Sequence, residues 1–180
     1  MSFFYIVILT LTFSFTSCKP APDTPVDAPE SVFFLVRHAE KVDDSEDPPL
    51  SEVGHQRAQT LASLLRDARI ERIYSSDLVR TRDTAAPLME DLGIELSLYD
   101  PGNLEELVKE LLLVPGRYLV VGHGNTTPEL ARLLGAEPGS DIAHNEYDRL
   151  YVLVHRPRLG TTTTLLRFEL GEGKRSSQMP

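Results

Sequence analysis

At 180 residues, with 41% hydrophobic and 25% charged side chains, the chain has the make-up of a globular protein long enough for one domain with a sizeable core. Its formal net charge of −9 argues against a nucleic-acid partner, because polyanion binders present a basic face. One cysteine, Cys18, excludes an intramolecular disulfide and any metal site built on several thiolates.

Residues 1–17 carry no charged side chain and are mostly apolar from Phe3 to Phe15. The run is shorter than the roughly 20 apolar residues of a spanning helix and fits the core of a secretory signal. It ends in Phe15-Thr16-Ser17-Cys18, which resembles a bacterial lipobox, although Phe15 replaces the usual aliphatic residue and no Lys or Arg precedes the run. The resemblance implies a signal peptide over 1–17, a lipid anchor on Cys18 and export to the bacterial cell envelope. A plain signal peptide or an uncleaved anchor are the alternatives.

Residues 18–30 hold Pro20, Pro22, Pro25 and Pro29 among Ala, Asp and Thr and read as an extended linker. The folded domain is expected over 31–170, with a polar, disordered tail over 171–180. It opens on Val32–Val36, an unbroken β-branched and aromatic run that predicts a strand buried on both faces of a parallel sheet. Arg37-His38-Ala39-Glu40-Lys41 follows directly. A charged pair there is odd for packing and natural for a site, since ligands of open α/β sheets sit beyond the carboxyl ends of the strands.

Val42–Pro49 is an acidic loop, readable as solvated or as a rim that repels over-charged substrates or binds a cationic leaving group. Ser51 caps a helix whose apolar stripe runs from Val53 to Ala68; His55 and Arg57 are expected on its surface. Ile70–Ser75 is the second strand. Ser76 and Asp77 suit the N-cap and first turn of the next helix, Arg80 falls near its positive end, and Pro87 should kink or end it before Gly93. Ile94–Leu98 is a third strand, Tyr99–Gly102 a turn and Leu104–Val114 a helix. Tyr118–Val121 is a fourth apolar strand, ending in Gly122-His123-Gly124-Asn125-Thr126, with Thr127 and Pro128 suited to N-cap and first helical position. Arg149–His155 and Thr161–Leu170 read as a hairpin. The whole predicts an α/β fold: a three-layer α/β/α sandwich with a mostly parallel sheet and an antiparallel edge hairpin.

Arg37, His38, Arg80 and His123 all follow predicted strands, so a parallel sheet brings them to one edge. Two guanidinium groups suit a phosphoryl group, and an imidazole can act as its nucleophile. Three stretches carry a resemblance: Arg37-His38-Ala39, Ser75-Ser76-Asp77-Leu78-Val79-Arg80-Thr81 and Gly122-His123-Gly124. In this order they resemble the signatures of the histidine phosphatase superfamily, over roughly residues 32–155.

The resemblance implies a metal-independent phosphatase with no cofactor, acting on a small phosphorylated substrate. His38 would be the nucleophile and form a phosphohistidine; Arg37, Arg80 and His123 would stabilise the transferring group. A carboxylate downstream of the second arginine often supplies the leaving-group proton, and Asp100 is expected in that role ahead of Glu105 and Glu106. Asn125 and Glu40 are expected substrate contacts, with Glu40 alternatively ordering the Arg37 loop. His144, Asn145, Glu146 and Tyr147 are placed at the mouth of the site or in an exposed loop. Other readings are a catalytically silent phosphate- or phosphosugar-binding lipoprotein, a protein phosphohistidine phosphatase, and a metal-dependent hydrolase using His38, His123 and Asp100.

Overall fold

Every residue of the first strand, Ser31–Arg37 (β1), is buried in the computed structural model, which describes residues 29–170. The burial has a simple origin: β1 is the inner strand around which the rest assembles. It pairs in parallel with Arg117–Gly122 (β4) on one side and antiparallel with Arg149–Arg156 (β5) on the other. Arg72–Ser76 (β2) adds in parallel to β4, and Leu96–Tyr99 (β3) adds in parallel to β2. Gly160–Arg167 (β6) closes the opposite edge as the second arm of the hairpin. The order is β3-β2-β4-β1-β5-β6, a mostly parallel six-stranded sheet with one antiparallel pair of strands at its edge.

Alternation along β1 divides the core in two. Val32, Phe34 and Val36 point to one layer, with the helices Glu52–Leu65 (α1) and Val79–Leu92 (α2). Phe33 and Leu35 point to the other, with Leu104–Leu113 (α3) and Thr126–Leu133 (α4). This is the expected three-layer α/β/α sandwich, and the strand is apolar throughout because both faces are covered.

Several local expectations hold. Ser51 caps α1, accepting a bond from the Gly54 N–H at 3.1 Å, and Gly93 ends α2 in the left-handed region at φ 65°. Others are corrected. Ser76 is not an N-cap: β2 runs through it, and α2 begins only at Val79. The Val79 N–H is met from outside the element, by Asp47 Oδ1 at 2.9 Å. Pro87 neither ends nor interrupts α2; the helix continues through it to Leu92. α4 starts ahead of Thr127 and Pro128, because Thr126 Oγ1 accepts from the His123 N–H at 2.9 Å and closes the turn that leads into the helix.

The predicted signal peptide, Cys18 and the polar tail lie outside the described residues, as does all but the end of the Pro-rich linker. Among the described residues no helix is long and apolar enough to cross a membrane.

Candidate active site

The parallel strands β1, β2 and β4 deliver their carboxyl ends to one place. The His38 N–H donates to the Gly122 carbonyl at 2.9 Å, extending the β1–β4 ladder by one bond and holding the two histidine segments side by side. The His38 and His123 rings lie 5.5 Å apart between centroids, inclined at 64°. Arg80 enters from the first turn of α2, beyond the end of β2. Arg37, His38, Arg80 and His123 line one open cavity of about 510 Å³, together with Lys41, Asn125 and His144.

His38 is 4% exposed, and its Nδ1 lies 2.8 Å from the Ala39 carbonyl. A carbonyl only accepts, so Nδ1 carries the proton and the Nε2 lone pair is left free. The Ala39 N–H in turn donates to Thr84 Oγ1 of α2 at 2.9 Å, which ties the His38 segment to the helix bearing Arg80. Burial, opposed in part by the Ala39 bond and reinforced by Arg37, Arg80 and His123, lowers the His38 pKa to about 3. Burial and then the two arginines lower that of His123 to about 4. Both imidazoles are therefore neutral at neutral pH.

His123 is oriented by Ser76, whose Oγ lies 2.9 Å from His123 Nε2. The Ser76 hydroxyl donates to Thr81 Oγ1 at 3.1 Å, and Thr81 donates onward to the Ser76 carbonyl at 2.8 Å. With the serine proton so placed, His123 Nε2–H is the donor to Ser76.

Arg37 is only 9% exposed. Its Nη1 donates to the carbonyls of Ala143, His144 and Glu146 at 2.9, 2.9 and 3.1 Å, and the guanidinium lies 4.3 Å from the Tyr147 ring centre. The loop before β5 is thereby fastened over the cavity. Burial lowers the Arg37 pKa, and neighbouring Arg80 pushes the same way. Among the described residues, two buried side-chain nitrogens lack a hydrogen-bond partner: Arg37 Nε and Arg80 Nε. Both belong to the cavity-lining arginines. A guanidinium N–H buried without an acceptor is costly, and a bound oxyanion would satisfy it.

The remaining expected residues divide. Asn125 lines the cavity. Glu40 does not; Arg57 Nε and Nη2 hold its carboxylate at 2.6–2.9 Å, and Arg57 also donates to the Phe168 carbonyl at 3.1 Å. Glu40 thus orders its loop, and Arg57 is a half-buried ion-pair partner, not a surface residue. α1 approaches this loop so closely that a Cβ on Gly54 would meet the Glu40 carbonyl oxygen at 2.1 Å, which requires glycine there. Asp100 is corrected as well: it is exposed, and its Oδ1 accepts from the Gly102 N–H at 2.8 Å, closing the turn after β3. Among the described residues, no carboxylate lines the cavity. Among the same residues, no cluster of three or more His, Cys, Asp or Glu side chains is arranged to hold a metal ion.

Sequence reasoning missed Ser76 and Lys41 as parts of the site. It also missed that Asp47 approaches Arg80, at 3.6 Å from Nη1. A serine at the end of a buried strand, next to two matched motifs, was the available signal for Ser76.

The model of the histidine phosphatase superfamily (branch 1) matches residues 33–107. Over that stretch the chain is similar to the histidine phosphatase superfamily. Its similarity to the fructose-2,6-bisphosphatase TIGAR of Xenopus tropicalis is 35% identity over 65 residues, covering 32% of this chain and 24% of that protein. The chain spans 24% and 37% of the length of the first curated relatives it matches. Among solved structures, the histidine phosphatase fold recurs in a mycobacterial glucosyl-3-phosphoglycerate phosphatase bound to inorganic phosphate, with TM-score 0.62 and 19% identity over 77% of this chain and 96% of that one. It recurs also in the protein histidine phosphatase SixA complexed with tungstate, with TM-score 0.61 and 16% identity over 76% and 96%. These likenesses are of fold.

Proposed function

We propose that this chain is a member of the histidine phosphatase superfamily, a phosphatase that hydrolyses phosphomonoesters through a phosphohistidine on His38. One observation carries the reading. A buried, neutral imidazole with its free Nε2 shares a cavity with two arginines whose Nε–H groups have no acceptor.

The chemistry runs in two displacements. His38 Nε2 attacks phosphorus, the P–N bond forms, and the bond from phosphorus to the leaving oxygen breaks, the departing alcohol taking its proton from solvent water in the open cavity. Water then attacks phosphorus, the P–N bond breaks, and inorganic phosphate leaves with His38 restored. Arg37 and Arg80 stabilise the equatorial oxygens in both steps. An incoming phosphoryl oxygen is a stronger acceptor than a serine hydroxyl, so it takes over the His123 Nε2–H from Ser76. None of these steps calls on a metal ion; the two guanidinium groups neutralise the charge. That the mycobacterial neighbour binds inorganic phosphate supports a small phosphorylated substrate.

A second reading is favoured by the carboxylate-free lining of the cavity: hydrolysis of a phosphoramidate such as protein phosphohistidine, whose leaving imidazole needs less help than an alkoxide. For the N-terminus we propose export and lipid attachment at Cys18. Mass spectrometry of the membrane fraction tests it, and recovery of a chain with unmodified Met1 refutes it.

The test of the reaction is turnover of p-nitrophenyl phosphate by the full chain in EDTA, beside His38→Ala. Loss of a covalent nucleophile should lower kcat by about 10⁴-fold or more. Acid-quenched wild type should carry acid-labile phosphate that the variant lacks. Equal turnover by both proteins overturns the mechanism. Phosphate binding without turnover supports the silent reading instead.

A further inference from the structure

The cavity continues past the phosphoryl-binding floor. A second hollow of about 350 Å³ shares Gly124, Asn125 and Ile142 with the first and extends along α4 to Pro128, Glu129 and Asp141. An ester whose phosphorus sits at His38 has its leaving group directed to one of the open sides, and this is a walled one.

The charge on the walls is the reverse of that on the floor. The cation in the second hollow, Arg132, is paired with Glu129, and Asp141 lines the same hollow. In the first hollow Lys41 is paired with Asp44, and Asp47 lies 3.6 Å from Arg80. Lys41, Arg80 and Arg132 thus each have a carboxylate beside them, and Asp141 is left over. The arginines with unmet N–H groups are both on the floor. A second phosphate or a carboxylate on the leaving group would face acidic side chains with, among the described lining residues of the second hollow, no lysine or arginine free of a carboxylate to receive it, and the net charge of −9 opposes it at longer range.

We infer that the substrate is a phosphate monoester whose alcohol part carries no negative charge, a hydroxylated or amine-bearing group seated between Asn125, Pro128 and Asp141. This rests on the phosphatase reading above and narrows its substrate class; bisphosphates and phosphorylated hydroxy acids are selected against by charge.

The experiment compares kcat/KM of the full chain, at low ionic strength, for phosphoethanolamine, glycerol 3-phosphate and 3-phosphoglycerate, with p-nitrophenyl phosphate as reference. The two uncharged or cationic alcohols should each exceed 3-phosphoglycerate by about tenfold or more, and the gap should narrow in added salt. In the Glu129→Gln/Asp141→Asn variant, which frees Arg132, the ratio of 3-phosphoglycerate to glycerol 3-phosphate should rise about tenfold. If that variant does not fold, the wild-type ranking decides alone. Preference for 3-phosphoglycerate with intact p-nitrophenyl phosphate turnover overturns the inference and leaves the phosphatase reading standing. An unaltered ratio in the folded variant also overturns it. No turnover of any of the four esters removes both.

Discussion

Two buried arginine centres, a short distance apart in the same fold, are built on opposite terms. On the loop side, Arg149 is 5% exposed and all its nitrogens are met: by Glu146 at 2.5 and 2.8 Å, by Ser140 and Asp141, and by Tyr151. The bonds to Glu146 raise its pKa, and the same bonds lower that of Glu146 to about 2. On the cavity floor Arg37 is nearly as buried, but its Nε has no acceptor and burial beside Arg80 lowers its pKa. A buried charge compensated within the protein is structural. One compensated only in part, facing an open cavity, is arranged for something that arrives from solution.

Breaking each centre separately tests that contrast. Arg80→Ala removes a group whose protein contacts are loose, at 3.5 Å to the Glu46 carbonyl and 3.6 Å to Asp47. It should lower kcat/KM by about 10³-fold, as for loss of a transition-state donor, while thermal stability moves by less than about 0.5 kcal/mol. A large stability loss with little kinetic effect would place Arg80 with Arg149.

Arg149→Ala should do the reverse. It leaves Glu146 partly buried with only Arg167 and the Ala143 N–H, and should cost about 3 kcal/mol in denaturant unfolding. If the variant is as stable as wild type, compensation is not what holds that loop.

Acid titration sharpens the same point on the histidines. The folded pKa values of about 3 and about 4 lie below the unfolded value near 6.5, so the unfolded chain binds protons first as pH falls. Stability should be flat above pH 7 and fall by about 2 kcal/mol per histidine between pH 7 and pH 5. His38→Gln should lose less over that window. For the same reason kcat/KM should show no acid limb near pH 6.5 beyond the substrate's own titration; a limb that stays in place when the ester is changed for one of different pKa means that His38 is not held neutral.

The smallest expected effect is at Ser76. Ser76→Ala frees His123 from its orienting partner without altering charge and should lower kcat about tenfold with little change in KM. Equal loss in both would mean that Ser76 binds substrate.

What was legible in the sequence follows the range of the interactions. Arg37, His38, Arg80 and His123 could be placed because each follows a short apolar run, and the alternation of strands and helices implies one shared edge. Ser76 was misread as a cap because a serine before an aspartate looks like one; what displaced it was Asp47, a residue 32 positions earlier, reaching the Val79 N–H. The Glu40–Arg57 pair and the three carbonyls on Arg37 join residues 17 and more than 100 positions apart, which no local pattern encodes. Asp100 was chosen for following a strand, but its turn takes its carboxylate instead.

β1 lies between β4 and β5, and the guanidinium of Arg37 is seated by a loop that leads into the last hairpin. A polypeptide ending near Leu113 would contain Arg37, His38 and Arg80 and still have neither neighbour of the central strand. The proposed activity therefore needs the C-terminal strands in place, and a loosened hairpin would withdraw Arg37's support from a distance.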